Sequence, residues 1–345
     1  MTTIGSRRSD EQRLLEAARG GNEVAFRRLV EPHRAVLYAH CYRMLGAVHD
    51  AEDALQETLL RTWRGLAGFR NDAPLRPWLF RIATNACLDA AARRRPRVLA
   101  VAGRPAARAE DRPGAPLVES TWLEPYPDDV YELRDGEPDP GARYEQRESV
   151  ELAFVAALQH LPGRQRAVLI LRDVLGYSAR EVADSLATTT AAVNSALQRA
   201  RTTIERELPE RSQQQGRRSL GDARVRELVD NYIAAWERND VEAIRSLLVE
   251  DAVFAMPPFA EWWQGRDAVI AIMAAAGPIK LRHLLARANA QPAVAWYVWH
   301  PEHESYDASA LEVITVGAAG IEQITAFVNP GLFPAFGLPR RLAER

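Results

Sequence analysis

The chain of 345 residues has little cysteine, a single lysine and no long apolar run. Its two cysteines, Cys41 and Cys87, stand inside apolar helical patterns, which indicates small buried core residues and excludes a disulfide framework. No apolar run approaches the ~20 residues that a membrane helix needs. The N-terminus lacks an apolar signal segment, so we expect a cytoplasmic protein without membrane contact. The composition, 47% hydrophobic and 26% charged, is ordinary for a globular protein of two or three compact units.

Charge is distributed unevenly along the chain. Residues 1–100 carry 17 arginines against 11 acidic residues, whereas residues 101–144 carry 5 arginines against 10 acidic residues. A basic N-terminal part followed by an acidic segment suggests a polyanion as partner, and a segment able to shield the basic part.

Hydrophobic periodicity divides the chain into five parts. Residues 11–95 and 145–208 have helical patterns. Residues 97–144 hold seven prolines and four glycines without any period, which predicts a linker, although its apolar island Trp122–Pro127 indicates that part of it docks on a surface. A second linker covers 209–221. From Asp222, two amphipathic helices precede five strand-like runs, which is typical of an α+β domain: Ala252–Met256, Arg282–Ala290, Ala293–His300, Ser305–Val316 and Gly320–Val328.

A helix-turn-helix is the most interpretable local pattern. Ser178 and Glu181 predict a capping box that opens a short helix, and a break at 187–189 precedes a second helix. The polar face of that second helix suits a major groove, because short polar groups near its start reach base edges and arginines further along meet phosphates. An ordinary helical hairpin with a solvated face is the alternative interpretation of this spacing alone.

Two longer motifs accompany the hairpin. They are DAEDALQETLLRTWRGL at 50–66 and FRNDAPLRPWLFRIATNACLDAAARRRP at 69–96. Together with the hairpin, they resemble the sigma-seventy family of bacterial transcription initiation factors. The resemblance is closest to the short extracytoplasmic-function (ECF) type, which has domains two and four only. It implies an all-α N-terminal half, with domain two at 8–96, the acidic linker at 97–144 and domain four at 145–210.

The resemblance assigns roles to individual residues. The helix of the first motif would dock on the clamp helices of core RNA polymerase, and domain four would meet the polymerase flap. The residues of the first-motif helix that are expected to face the polymerase are Asp53, Gln56, Glu57, Arg61 and Arg64. Residues expected to contact the minus-ten element are Phe69, Asn71, Asp72, Trp78, Arg81, Asn85, Asp89, Arg93 and Arg94, of which Trp78 could equally be core. Arg97 would reinforce the phosphate contacts. Residues expected to contact the minus-35 element are Arg164, Arg166, Thr190, Asn194, Ser195, Gln198, Arg199 and Arg201.

The C-terminal part, 222–330, is similar to the SnoaL-like fold, a cone-shaped α+β barrel. The similarity rests on the DAVFAMPPF run at 251–259, the WWQGRDAV turn at 262–269 and the terminal strands. Its polar candidates form no catalytic triad, metal-spaced set or carboxylate pair, so no metal or cofactor is implied; they are His283, His300, His303, Asp307 and Glu312. The tryptophans there are interpreted as core or pocket wall.

Some ECF groups carry such a fused domain, which contacts the linker and tunes activity. The resemblance therefore implies intramolecular regulation, with the linker packed on the cone and on a C-terminal tail at 331–345. The residues expected to carry it are Trp122, Leu123, Pro125, Phe333 and Phe336. The tail lacks the glycine-run-plus-lysine motif of one such group, which leaves the subgroup open.

Three functions remain open at this point. The first is an alternative sigma factor that binds core RNA polymerase and promoter DNA, with a small ligand or the linker peptide in the SnoaL-like pocket. The second is a one-component DNA-binding regulator that senses a ligand in the cone. The third is a cyclase-like enzyme with an accessory DNA-binding part. Only the first explains both the helix at 50–66 and the loop at 69–74.

Overall fold

The computed structural model describes residues 3–69, 74–101, 104–117, 122–129, 150–208 and 220–343. The chain divides into two compact units. The helical unit comprises residues 1–94 and 158–206, and the mixed unit comprises residues 95–157 and 207–345. The linker that follows residue 94 therefore belongs to the same unit as the C-terminal domain.

The first part of the helical unit contains five helices, which run Thr3–Arg19 (α1), Glu23–Val30 (α2), Arg34–Leu45 (α3), Val48–Gly65 (α4) and Leu75–Ala91 (α5). Gly46 adopts the left-handed conformation (φ 73°) that ends α3, so α4 can begin two residues later. The faces of α3, α4 and α5 that meet are buried and mainly apolar, and a hydrogen bond of 2.9 Å joins His40 on α3 to Thr84 on α5. Cys41 on α3 and Cys87 on α5 are both buried and free, as predicted.

The second part of this unit holds the helix-turn-helix. Four helices follow the linker: Leu152–Gln159 (α6), which crosses the unit boundary, Gly163–Leu169 (α7), Ala179–Ser185 (α8) and Thr190–Glu207 (α9). A π-helical turn at Ile170–Val174 extends α7. The predicted break at 187–189 separates α8 from α9, so the predicted hairpin is confirmed.

The C-terminal domain opens with two helices, Asp222–Glu237 (α10) and Val241–Leu247 (α11). Helix Arg266–Ala275 (α12) is the third. The strands are Leu248–Ala255 (β1), Trp262–Gln264 (β2), Leu281–Ala288 (β3), Gln291–His300 (β4), Ser305–Gly317 (β5), Gly320–Phe327 (β6) and Arg341–Ala343 (β7). They form one sheet in the order β2-β1-β6-β5-β4-β3, with β7 on β5; β1 and β6 are parallel and the other pairs antiparallel. The helices and one sheet face enclose a core that includes Tyr232, Trp236, Trp263 and Ile314.

Each of the five predicted strand-like runs corresponds to a strand, although three of them extend one or two residues past its end, and the α+β architecture is confirmed. The pattern missed β2 and β7, because strands of three residues carry too little periodicity to stand out. The residues after 330 were predicted as a tail. Instead, Pro330–Phe336 forms a 3₁₀ helix whose Leu332, Phe333 and Phe336 are buried, and β7 pairs with the start of β5. The tail is therefore an integral layer of the domain.

Among the residues that the structure describes, no helix combines the length and the apolarity required to cross a membrane.

Candidate nucleic-acid and protein interfaces

Helix α4 presents a mixed-charge face to solvent, as its motif predicts. Asp53, Gln56 and Arg64 are exposed, while Leu55 and Thr58 on the opposite face are buried against α3 and α5. The helix begins at Val48, two residues before Asp50. The buried Asp50 carboxylate pairs with the Arg94 guanidinium within the same unit.

Two of the predicted polymerase contacts are tied to a predicted base reader. Arg61 donates from Nε to Glu57 Oε1 (2.6 Å) and from Nη1 to Asp89 Oδ2 (2.9 Å), which links α4 to α5. These hydrogen bonds raise the pKa of Arg61. The three charges therefore form a half-exposed bridge between the two expected interfaces, and Asp53, Gln56 and Arg64 are the more available polar groups on α4.

The segment expected to capture a base is only partly described, because Asn71 and Asp72 lie outside the described residues. Phe69 is buried, and its ring lies 4.6 Å from that of Trp78, centroid to centroid. The prediction that Phe69 supports base stacking is therefore wrong for this structure, since the larger Trp78 ring covers it. Trp78 itself is half-buried, so both interpretations of this residue stay open.

Three of the predicted DNA contacts are exposed: Arg81 and Asn85 on α5, and Arg93 just after its end. Two other arginines do not fit the prediction. Arg94 is engaged with Asp50, and Arg97 is buried in the mixed unit, where it donates from Nη1 to the carbonyl of Trp122 (2.7 Å). A buried carboxylate and a buried carbonyl attract these guanidinium groups more strongly than solvent does.

The helix-turn-helix is fixed by two local caps. Ser178 accepts from the Glu181 amide (3.2 Å) and its own amide donates to Glu181 Oε2 (2.7 Å), which confirms the predicted capping box and lowers the pKa of Glu181. Thr189 Oγ1 accepts from the Ala192 amide at the start of α9 (3.1 Å). One face of α9 packs inward, and the other exposes the residues predicted to read the minus-35 element: Thr190, Asn194, Ser195, Gln198 and Arg199.

Arg201 on α9 has an intramolecular partner. Its Nε and Nη2 donate to the two carboxylate oxygens of Asp173 at 2.8 and 2.7 Å, which raises the pKa of Arg201. This bidentate pair ties α9 to the π-helical turn. The geometry therefore gives Arg201 a role in orienting the recognition helix, beside the phosphate contact predicted for it.

Arg164 and Arg166, predicted together as phosphate contacts, have opposite environments. Arg164 is exposed, whereas Arg166 is only 6% exposed. Its guanidinium donates to the carbonyls of Met44, Gln159 and Leu161 and to Gln159 Oε1. Burial lowers the pKa of Arg166 to about 10, so the group still carries its charge at neutral pH. The prediction for Arg166 is wrong, because α7 turns this side chain inward, where it joins α3 to the second part of the helical unit.

The apolar island of the linker is docked on the C-terminal domain. Leu123 is fully buried, and Trp122 packs in a small cluster with Ala255 and Ala260. A cavity of about 20 Å³ separates the island from the end of the sheet; its lining residues are Trp122, Leu123, Glu124, Pro257, Pro258, Phe327, Asn329 and Leu332. Pro125 is also buried. All the linker residues predicted for intramolecular regulation thus lie inside the mixed unit.

Backbone hydrogen bonds hold the linker along its length. The amides of Ala107 and Leu117 donate to the carbonyls of Trp262 (2.7 Å) and Pro258 (2.8 Å). The indole N–H groups of Trp262 and Trp263 donate to the carbonyls of Arg104 and Arg108, both at 3.1 Å. The sequence interpretation placed these tryptophans in the core or the pocket wall. No sequence signal revealed their second role as donors to the linker.

Asn289, in the β3-β4 turn, binds both the linker and the residues just before α6. Its Oδ1 accepts from the Tyr126 amide (2.8 Å), its amide donates to the Tyr126 carbonyl (3.0 Å), and its Nδ2 donates to the Val150 carbonyl (2.7 Å). Gln291 accepts from the Leu152 amide at the start of α6 (3.2 Å). Two buried amide side chains that the sequence pattern does not single out therefore anchor the linker and the start of α6.

The two phenylalanines predicted to act in the tail, Phe333 and Phe336, are both buried. Phe333 packs against Tyr297, with ring centroids 5.3 Å apart, and Phe336 is buried in the same layer. Leu332 lines the small cavity together with the island. The described contact between the 3₁₀ helix and the linker therefore involves Leu332, a residue that the prediction did not include.

The cone interior contains one buried carboxyl group. Glu312 Oε2 accepts hydrogen bonds from Tyr232 (2.9 Å) and from the Trp296 indole (3.0 Å), and burial raises the pKa of Glu312 to about 8. His283 lies nearby, 5.5 Å from the Trp296 ring, and burial lowers its pKa to about 4. His300 and His303 are exposed in the β4-β5 turn. Among the described residues, no three His, Cys, Asp or Glu side chains are grouped closely enough to hold a metal ion.

Three family models match the chain. Residues 29–97 match the family model for sigma-70 region 2, residues 151–204 that for sigma-70 region 4, and residues 229–326 that for the SnoaL-like domain.

Similar proteins extend the match along the chain. The ECF RNA polymerase sigma factor SigG of Mycobacterium tuberculosis is 44% identical over 322 residues, which cover 90% of this chain and 83% of the relative. SigM of the same species is 35% identical over 199 residues, 58% of this chain and 84% of SigM. The crystal structure of the M. tuberculosis ECF sigma factor SigJ has the same fold, with a TM-score of 0.55 and 23% identity over 89% of this chain and 97% of SigJ.

Proposed function

Because this chain belongs to the ECF sigma factors of the sigma-seventy family and is therefore an alternative sigma factor that directs transcription initiation, we propose a separate role for each of its surfaces. Helix α4 binds core RNA polymerase, α5 and α9 contact promoter DNA, and the C-terminal domain tunes activity through the linker. The observation that carries the proposal is the set of exposed polar side chains on these three helices.

The polymerase contact is assigned to α4 because its exposed face is polar but nearly neutral. Asp53 and Arg64 offer opposite charges, and Gln56 lies between them. Such a face fits a second polar helix better than it fits DNA, whose phosphates would be repelled by Asp53. The clamp helices of core RNA polymerase are the expected partner.

DNA contact is assigned to α5 and α9 on the character of their free side chains. Arg81 on α5 and Arg93 just after its end can bind phosphates, and Asn85 on α5 can read a base edge. On α9, Asn194 and Gln198 lie one turn apart on the exposed face, where amides can pair bidentately with adenine. The caps and the Arg201–Asp173 pair orient α9 for this contact.

The test of the core proposal is binding of the full-length chain to bacterial core RNA polymerase. We expect tight binding that Asp53→Arg weakens at least tenfold, because the reversal places two arginines where the partner meets opposite charges. Glu302→Arg, in the exposed turn of the C-terminal domain, is the matched control and should bind like the unmodified chain. Absence of binding by the unmodified chain would overturn the proposal.

Regulation is assigned to the linker because docking places its apolar island inside the mixed unit. We expect Leu123→Asp to release the island, since a carboxylate at a fully buried position cannot be accommodated without a partner. Arg104, Arg108 and Arg112 are exposed, but hydrogen bonds hold the backbone around them, so release should free this backbone and trypsin should cut the variant several-fold faster. Promoter output should change by at least threefold in either direction.

Transcription is measured with core polymerase on a promoter selected from a randomised library by the unmodified holoenzyme. Leu117→Asp is the control, because Leu117 lies in the same linker but is exposed. Faster proteolysis with unchanged transcription would show that docking has no regulatory effect.

A small ligand is a second candidate partner of the C-terminal domain. A groove of about 490 Å³ lies between α10 and the β3-β4 hairpin, with Val225, Val229 and Leu285 among its apolar lining residues. Asp129 of the linker lines it too. Its size suits a small molecule, and a ligand bound there would contact the domain and the linker together. We propose binding rather than catalysis for this domain, because Tyr232 and Trp296 both donate to Oε2 of Glu312 and hold this buried carboxyl group in place.

A further inference from the structure

The exposed face of α4 contains a leucine that neither its motif nor the family resemblance singled out. Leu60 is 50% exposed, whereas its neighbour Leu59 is half-buried. Within the described ranges, only three other large apolar side chains are exposed: Val24, Leu117 and Leu285. Leu60 is the one that lies on a surface assigned to a protein partner.

Helical spacing places Leu60 in the middle of that surface. It follows Gln56 by four residues, precedes Arg64 by four and follows Asp53 by seven, so all four share one stripe of α4. The remaining polar candidates, Glu57 and Arg61, are bound to each other and to Asp89 beside this stripe. The stripe therefore consists of one apolar side chain between polar ones.

An apolar centre with a polar rim is the usual layout of a specific protein–protein interface, in which the centre supplies most of the affinity. We propose that Leu60 is the apolar anchor of the polymerase-binding surface and inserts into an apolar recess on the clamp helices. This inference rests on the proposed polymerase contact of α4. It deepens that contact by separating a salt-insensitive apolar part from a salt-sensitive charged part.

The two parts respond differently to ionic strength. Burial of a leucine side chain does not depend on charge screening, whereas attraction between exposed charges weakens as the Debye length falls. We expect Leu60→Ala to weaken binding of the full-length chain to core polymerase about tenfold or more, and by the same factor from about 0.1 to about 0.5 M salt. The loss caused by Asp53→Arg should shrink over that range.

Three further variants complete the experiment. Val24→Ala removes an equally exposed apolar side chain from α2 and should leave binding unchanged. Leu60→Met keeps the apolar volume and should retain most of the affinity, while Leu60→Gln, of similar size, should lose it. Because Leu60 is exposed, none of these changes should alter the thermal unfolding of the chain.

The outcomes separate the two proposals. If the unmodified chain binds core polymerase and Leu60→Ala binds equally well, the apolar anchor is wrong and the polymerase contact stands. Equal binding by Leu60→Gln and Leu60→Met would likewise overturn the apolar anchor. If the unmodified chain does not bind at any salt concentration, the polymerase contact itself fails.

Discussion

Replacing Arg166 with methionine is expected to lower the free energy of unfolding of the helical unit by about 3 kcal/mol or more. The substitution keeps an apolar stem but leaves the carbonyls of Met44, Gln159 and Leu161 without their buried donor. Each buried acceptor that loses its partner costs about 1–3 kcal/mol. Urea unfolding of the full-length chain, followed by circular dichroism at the helical band, measures the change.

Arg164→Met is the matched control, because it makes the same chemical change two residues away at an exposed position. We expect its stability to stay within about 0.5 kcal/mol of the unmodified chain. In the holoenzyme, it should weaken minus-35 DNA binding if Arg164 contacts phosphate as proposed. Equal stability of the two variants would contradict the buried role of Arg166.

The stability of the C-terminal domain is expected to fall as the pH rises from 6.5 to 8, by about 2 kcal/mol. Glu312 has a pKa of about 8 in the folded chain. Its pKa is therefore raised above that of an unfolded glutamate, so the folded state binds the proton more tightly. Stability from this proton is fully present below the unfolded pKa and is lost as the pH rises through the folded one.

The contribution of His283 to stability changes with pH in the opposite direction. Its pKa is lowered to about 4, so its contribution to stability increases from pH 4 through the ordinary histidine value near 6.5 and levels off about one pH unit above that value. The buried His40 of the helical unit, with a pKa of about 3, behaves in the same way. Both histidine contributions rise or stay level between pH 6.5 and 8, so we assign a fall in stability over this window to Glu312.

Glu312→Gln should flatten the pH dependence in that window. The amide keeps an oxygen that can accept from Tyr232 and Trp296 but has no proton to lose. Urea unfolding followed by tryptophan fluorescence at pH 6.5, 7.2 and 8 measures the slope. Glu302→Gln, at an exposed position, should keep the slope of the unmodified chain. An unchanged slope in Glu312→Gln would show that Glu312 is already ionised at neutral pH.

The exposed face of α9 was predictable because its signals are local. Capping residues, a short break and 3.6-residue periodicity place Asn194 and Gln198 on the outer face without knowledge of the rest of the fold. The direction of Arg166 was not predictable in this way. Arginines at 164 and 166 look equivalent in sequence, and only the packing of α7 on α3 decides which one is buried.

The docking of the linker was partly predictable. Tryptophan and tyrosine beside prolines indicated an island that packs on a surface, and Trp122 and Leu123 are buried as that pattern suggests. The surface itself is set by tertiary structure. Trp262, Pro258 and Asn289 hold the linker through groups that any buried tryptophan, proline or asparagine possesses, so their sequence pattern does not distinguish them.

The hydrogen bonds from Trp262 and Trp263 to the linker limit how the amino-acid sequence of this segment can vary. Their indole N–H groups donate to main-chain carbonyls, which every amino acid supplies. The amides of Ala107 and Leu117 likewise donate to the carbonyls of Trp262 and Pro258. These hydrogen bonds depend on the position of the linker backbone and not on the identity of its side chains. Single replacements at exposed linker positions between these attachment points should therefore be tolerated. An insertion or deletion there shifts every later carbonyl out of register, so the length of the segment is constrained more strongly than its composition.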